Sequence, residues 1–383
     1  MSGGKLIVIT GIRLRKKNLK YLGYYKLKNK NYEVWDISKV NPDPNSNLSF
    51  HDEVNKGESL KRISSKKEIS ENIKEENKNT YYWITRLYNQ NKLKGWICKE
   101  IYKYEGRIIE KYETESIYPI EKNQAEYSKF WAYYRYYKRM LGNVLKRKIK
   151  KKTDYVFVPT IRSIRRVDRV GIKTKICPIH TVDYDRYIDA KKGVEKGYDD
   201  KCAVFLDQNI PFHFELKNKY RKKWIEPSKY YGELKIFFNR LKEDKNIPVK
   251  KIKIALHPNS KKEKVEEYLR EYEICNESTP SEVIKSDIVL SHFSTSVLFS
   301  VMSKKPVCFF IPKSMAKKEL ISKTKSAANI FGRKVNTGPP YGKIDYGKNK
   351  KRYKKIKKNY IKAERTKEMN SCVYVYEKVV NSC

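Results

Sequence analysis

Three short stretches of the sequence carry residues able to grip a phosphate or move a proton. Asp207-Gln208-Asn209-Ile210-Pro211-Phe212-His213 ends the apolar run AVFLD, His257-Pro258-Asn259-Ser260 follows KIKIAL, and His292-Phe293-Ser294-Thr295-Ser296 follows DIVLS. An imidazole such as His257 can donate a hydrogen bond to a phosphate oxygen. The hydroxyls of Ser294, Thr295 and Ser296, with the free N–H groups of a helix start, can form an anion site. A carboxylate such as Asp207 can take a proton from an acceptor hydroxyl when a cleft raises its pKa. Each also has an ordinary role: Ser294 or Thr295 as an N-cap, Asp207 as a turn or capping carboxylate, Pro258 as the end of a strand ladder.

The elements around these stretches alternate. AVFLD (203–207), KIKIALH (251–257), DIVLS (287–291) and PVCFFI (306–311) read as strands. Between them, 227–244, 260–272 and 295–303 read as helices, and Thr279-Pro280-Ser281-Glu282 reads as a capping box opening a short one. Near-continuous apolar strands separated by helices imply a parallel sheet covered on both faces. In such sheets ligands bind outside the carboxyl ends of the strands. All three stretches stand at such ends, so they should open onto one edge.

The first half begins in the same way. KLIVITG (5–11) reads as a buried strand ending at Gly11, a basic and helical stretch runs to Lys30, and YEVWDIS (32–38) reads as a second strand. Residues 41–80 are polar, with Pro42 and Pro44, and read as a loop or partly ordered insertion. TDYVFVPT (153–160) reads as a strand. Residues 124–150 read as a helix whose aromatic stripe of Phe130, Trp131, Tyr134 and Tyr137 either covers the sheet or rests on anionic lipid. A charged stretch with two glycines at 184–201 suggests the boundary between a domain at 1–195 and one at 196–383. The tail 342–362 is lysine-dense, and 369–383 has apolar spacing that could pack back on the body.

The HP dipeptide in IALHPNS, followed by the Ser/Thr cluster in DIVLSHFSTSVLFSVMSKKPVCFF, resembles the HP and S-S/T motifs of bacterial sialyltransferases, which are GT-B-fold glycosyltransferases. The step from strand through S/T cluster and short helix to KKP and strand is also similar to GT-B enzymes of capsule and lipopolysaccharide assembly. The resemblance covers roughly residues 203–312 and, more loosely, 5–38. It implies an α/β fold of two Rossmann-type doubly wound domains facing a cleft, the N-terminal one for the acceptor and the C-terminal one for a nucleotide sugar. It further implies that His257 and Pro258, with Ser294, Thr295 and Ser296, hold the donor phosphate. The donor would be CMP-linked, carrying a sialic-acid-like sugar or Kdo, and the acceptor a surface glycan or glycolipid. A CDP-glycerol-type polyol-phosphate transferase is the alternative on the same fold. Those families also carry an acidic D/E-D/E-G motif for the general base. Here Asp199-Asp200 is followed by Lys201, so Asp207 stands in, with His213 and Glu215 as runners-up. Gly11, Arg13, His213 and Glu215 are candidates for the acceptor side. No cofactor is expected, and no metal: the imidazole and hydroxyls would offset the charge on the leaving phosphate. Asp183-Tyr184-Asp185 has the spacing of a metal-binding DxD, but its place in the linker marks it as a hinge or turn.

Composition bounds the remaining classes. With 383 residues, 39% of them apolar and 31 of them Tyr, the chain can bury two cores. Its 86 Lys and Arg against 44 Asp and Glu leave a net charge of +42. That charge suits an anionic membrane surface, although Lys, Asn, Ile and Tyr enriched together also reflect an AT-rich coding sequence. Nucleic-acid binding is a rival from another class, but the charge is spread along the chain and no recognition motif accompanies it. The seven cysteines are odd in number and lack CxxC spacing, which fits reduced buried thiols. No apolar run approaches the roughly 20 residues of a membrane span, and only Leu6 to Ile9 follow the N-terminal residues, so no signal peptide is expected. A cytoplasmic protein, peripheral on the inner membrane face, is the expectation.

Overall fold

The computed structural model describes residues 4–11, 14, 23–40, 59–76, 78–85, 87, 91–112, 153–160, 174–194, 201–213, 216–218, 224–247, 249–258, 260–275, 278–363 and 366–381. The chain divides into two compact units. The first holds the described residues up to Asp185 together with Lys362–Cys383, and the second holds Arg186–Ile361.

The first unit is a seven-stranded sheet in the order β3-β2-β1-β4-β5-β6-β7. Its strands are β1 (Lys5–Thr10), β2 (Tyr32–Asp36), β3 (Leu60–Arg62), β4 (Thr80–Thr85), β5 (Arg107–Lys111), β6 (Tyr155–Val158) and β7 (Lys175–Pro178). Every pairing is parallel. Successive side chains of β1 alternate between two cores, as a pleated strand requires. Ile7 and Ile9 pack with Ile69 and Ile73 of α1 (Lys66–Glu75) and with Ile97 and Ile101 of α2 (Asn91–Lys103). Leu6 and Val8 face the other way.

Expectations for this half are corrected at three points. Residues 60–80 are not an insertion: they supply β3 and α1, the latter capped by Ser65, whose hydroxyl accepts from the Glu68 N–H. Only Ile69, Asn72 and Ile73 of α1 are buried, so its apolar signal is weak. The charged stretch at the boundary contains a helix, α3 (Val182–Gly193). The C-terminal residues do not belong with the second half. Helix α10 (Ser371–Val380) places Cys372, Val375 and Val379 against Leu6 and Val8 of the first sheet. The expected helix at 124–150 lies outside the described residues.

The second unit has six parallel strands in the order β10-β9-β8-β11-β12-β13. They are β8 (Cys202–Leu206), β9 (Lys251–Ala255), β10 (Glu273–Ile274), β11 (Ile288–Ser291), β12 (Val307–Pro312) and β13 (Val335–Gly338). A two-residue β14 (Tyr346–Gly347) pairs antiparallel with the start of β12. Counted from β8, the order is 3-2-1-4-5-6, the doubly wound arrangement whose direction reverses beside the first strand. Connecting helices are α4 (Pro227–Glu243), α5 (Lys262–Leu269), α6 (Thr279–Lys285), α7 (Leu298–Ser303) and α8 (Lys318–Phe331). Two further elements follow β14: α9 (Lys350–Ile356), which buries Tyr353 and Ile356, and a π-turn at Lys357–Ile361, which buries Tyr360 and Ile361. The start of α6 departs from expectation: Ser278, not Thr279, occupies the N-cap, and it makes no side-chain cap bond.

The core of this unit is aromatic. Tyr230, Leu234, Phe237 and Leu241 recur at helical spacing along α4, joined by Tyr231 and Phe238, and all are buried. The Phe237 ring stacks on Phe310 at 4.0 Å between centroids, and Phe238 meets Phe205 edge-on at 5.5 Å. Two doubly wound parallel α/β units are therefore present, as expected. No helix of the described residues is long and apolar enough to cross a membrane.

Candidate functional site

Strand β8 lies between β9 and β11, so the three chemistry-bearing stretches leave the sheet side by side. Leu206 pairs with Ala255 and Phe205 with Leu290. Continuing the first register by one residue and the second by two sets Asp207 between Leu256 and His292. The Asp207 N–H extends the ladder to the Ala255 carbonyl at 3.0 Å. The gap between β8 and β11 is where the winding direction reverses, and crevices for ligands form there.

Strand alternation puts Asp207 on the same face as Ala203 and Phe205, towards α4, and it is 4% exposed. Its Oδ2 accepts from the Ser260 hydroxyl at 3.4 Å, while Oδ1 is buried with no partner among the described residues. Burial pushes the carboxyl up to about 6, against the lowering influence of the Asn209 amide, the Ser260 hydroxyl and the Gln208 amide. It is therefore ionised at neutral pH and basic enough to accept a proton. The chain then turns through Asn209 at φ 53°, a left-handed conformation that Asn tolerates, into a 3-10 turn at Ile210–Phe212. His213 ends that turn.

His257 is half-buried beyond the end of β9, and the Ser260 N–H bonds back to its carbonyl at 2.8 Å. Pro258 is exposed. The His257 ring faces that of His213 with 6.0 Å between centroids. Burial, with His213 nearby, holds the His257 pKa below the ordinary imidazole value. Nδ1 of His213 is buried and unpartnered among the described residues.

After β11, His292 is fully buried and belongs to the core rather than the site. It bridges Tyr230 Oη to Nε2 at 3.0 Å and its Nδ1 to the Phe310 carbonyl at 2.7 Å. Burial, opposed by the bond to Phe310, pushes its pKa down to about 4, so the ring is neutral. Nδ1 then donates to the carbonyl and Nε2 accepts from the tyrosine. Beyond it, the Ser294 hydroxyl accepts from the Ser296 N–H at 3.3 Å, which is the ordinary capping role, and keeps its own proton to donate. Thr295 is exposed and Ser296 half-buried. A 3-10 turn at Thr295–Val297 precedes the six-residue α7, so the hydroxyls carry more of any anion binding than a helix end does.

Two residues that the sequence did not single out tie the site together. Gln208 Oε1 accepts from the Phe293 N–H at 3.0 Å, joining the loops after β8 and β11. Ser260 joins the loops after β8 and β9 through Asp207. Their positions, next to Asp207 and three residues after His257, were the available signal. His213, a candidate for the acceptor side, stands beside His257. Gly11 follows β1 in the first unit and is buried. Arg13 and Glu215 lie outside the described residues.

Asp183-Tyr184-Asp185 opens α3 rather than forming a loop. Asp185 is 5% exposed; it accepts from His180 Nε2 at 2.8 Å and from the N–H of Ser371 at 2.7 Å, and the Ser371 hydroxyl bonds it as well. This buried carboxylate anchors the first residue of α10.

No family model and no curated protein matches the sequence. Among solved structures, the chain is similar to the wall teichoic acid polymerase TagF, at 12% identity over 99% of this chain and 89% of that one, with a TM-score of 0.49. It is similar to the UDP-GlcNAc 2-epimerase of Methanocaldococcus jannaschii, at 13% identity over 98% and 99%, with a TM-score of 0.48. It is also similar to UDP-bound UGT89C1 of Arabidopsis thaliana, at 9% identity over 98% and 94%, with a TM-score of 0.40. The fold described above rests on the strand order itself.

Proposed function

We propose that the chain is a transferase that moves a group from a nucleotide-activated donor to a hydroxyl of a surface glycan or glycolipid. One observation carries the reading. The ends of three adjacent strands bring together a buried carboxylate with a raised pKa, a half-buried imidazole and a turn of hydroxyls at the reversal point of a doubly wound sheet. Asp207 takes the proton of the acceptor hydroxyl, whose oxygen attacks the transferred group. The bond from that group to the donor phosphate breaks, and its electron pair leaves on the phosphate oxygen. His257 and the Ser294–Ser296 hydroxyls stabilise the charge that develops there.

Two donors fit this scheme. In one, a sialic-acid-like sugar or Kdo leaves CMP, and attack is at the anomeric carbon. In the other, a polyol phosphate leaves CMP from a CDP-linked donor, and attack is at phosphorus. Purified protein offered CMP-, CDP- and UDP-linked donors with a glycolipid acceptor is expected to release a nucleotide. The variant His257→Ala should lower that rate by about two to three orders of magnitude. Binding of duplex DNA with a steep salt slope, and no response to any nucleotide, would refute the proposal in favour of a nucleic-acid partner.

A further inference from the structure

The residues around Asp207 fall into two groups, one on each side of β8. On the β11 side stands the hydroxyl turn at Ser294–Ser296. On the β9 side stand the imidazoles of His213 and His257, 6.0 Å apart between centroids, with Ser260 on Asp207 Oδ2. Strands β9 and β11 are two ladder spacings apart, about 10 Å. A single phosphate on the hydroxyl turn would leave the far group unfilled. That group contains a buried polar atom that lacks a partner among the described residues, Nδ1 of His213. Buried polar atoms without partners are uncommon, and each such atom needs an account. An anion between the imidazoles supplies one. It accepts a hydrogen bond from each ring and offsets the influence of burial and of His213 that opposes protonating His257.

We propose that His213 and His257 form a second anion position, distinct from the hydroxyl turn, so that the site takes a nucleoside diphosphate group, with one phosphate on Ser294–Ser296 and the other on the imidazole pair. The inference rests on the transferase reading and chooses between its donors. A CMP-linked sugar carries one phosphate and leaves the imidazole pair empty. A CDP-linked polyol fills both positions, and His213 then contacts the donor instead of the acceptor. For this donor the phosphate on the imidazole pair is the one under attack, so His257 steadies the transferred phosphate, and the charge that arrives on the departing CMP is met by the hydroxyl turn.

The test is isothermal titration of the whole chain with CMP, CDP, UMP and UDP, for the parent and for His213→Asn and His213→Gln, each first checked for an unchanged melting transition. The parent is expected to bind the diphosphate of each nucleoside at least tenfold more tightly than the monophosphate. Either His213 variant that melts normally should lose that preference and keep its monophosphate affinity. Titrations in buffers of different ionisation heat should show about one proton taken up with CDP by the parent and none by the variants. Equal affinity for mono- and diphosphates in the parent, or equal weakening of both in the variants, overturns the second anion position while the transferase reading stands. Binding of none of the four overturns both.

Discussion

Replacing Asp207 by Asn tests the central electrostatic claim, because it should separate stability from activity. A tenfold change in proton affinity corresponds to about 1.4 kcal/mol, so raising the carboxyl from its ordinary 3.8 to about 6 means the buried charge costs the folded state about 3 kcal/mol at neutral pH. The Asp207→Asn change removes that cost but brings an N–H group to the unpartnered Oδ1 position, which returns about 1–3 kcal/mol. The variant should therefore be as stable as the parent or more so at pH 7.5, even though it alters a buried polar residue. The pH dependence is the sharper signature. Between 3.8 and about 6 the folded parent binds more protons at this site than the unfolded chain, so the parent gains stability as pH falls through that window. The amide of the variant does not titrate and cannot follow, so its advantage over the parent should shrink by about 2 kcal/mol from pH 7.5 to pH 4.5. Urea unfolding of the second unit, read by hydrogen exchange of peptides covering β8 and β9, measures both. Nucleotide release should meanwhile fall by a factor of about 100 or more. A stability difference that stays constant across that pH range, or that grows in favour of the variant in acid, refutes the reasoning.

Other outcomes follow from single contacts. Asp185→Ala leaves His180 and Ser371 without their shared acceptor, which should cost about 3 kcal/mol. Limited proteolysis should then cut first between residues 366 and 381, and unchanged resistance there would contradict the anchoring role. Tyr230→Phe removes the donor to His292 Nε2 and should destabilise the second unit by about 1–3 kcal/mol with little change in nucleotide affinity. A variant with parental stability would show that the bond is not formed. EDTA should leave nucleotide release unchanged, because imidazoles and hydroxyls are assigned to the phosphates of the donor. A loss that magnesium restores would transfer that role to a metal.

Much of this was legible in the sequence wherever local pattern and local structure coincide. The strands KLIVIT, CAVFL, IVLS and VCFFIP are near-continuous apolar runs because parallel strands are buried on both faces, and the Tyr-Phe-Leu spacing of α4 marks its buried side. Helix α1 was missed because Ile69, Asn72 and Ile73 are its only buried residues, too few to stand out from a polar background. The place of α10 was missed for another reason: amphipathic spacing says that a helix packs, not which sheet it packs on.

The site divides along the same line. Sequence alone determined which residue types stand at the strand ends, since a strand followed by a polar turn is a local event. Only the tertiary structure decided which of those ends are neighbours, because parallel strand order is set by crossovers of many residues and leaves no trace in local spacing. That order placed His213 beside His257, moved His292 into the core as a neutral bridge, and left Asp207 buried enough to hold its proton more tightly. A residue's chemistry is written in its type, but its proton affinity and its partners depend on what the fold removes from water around it.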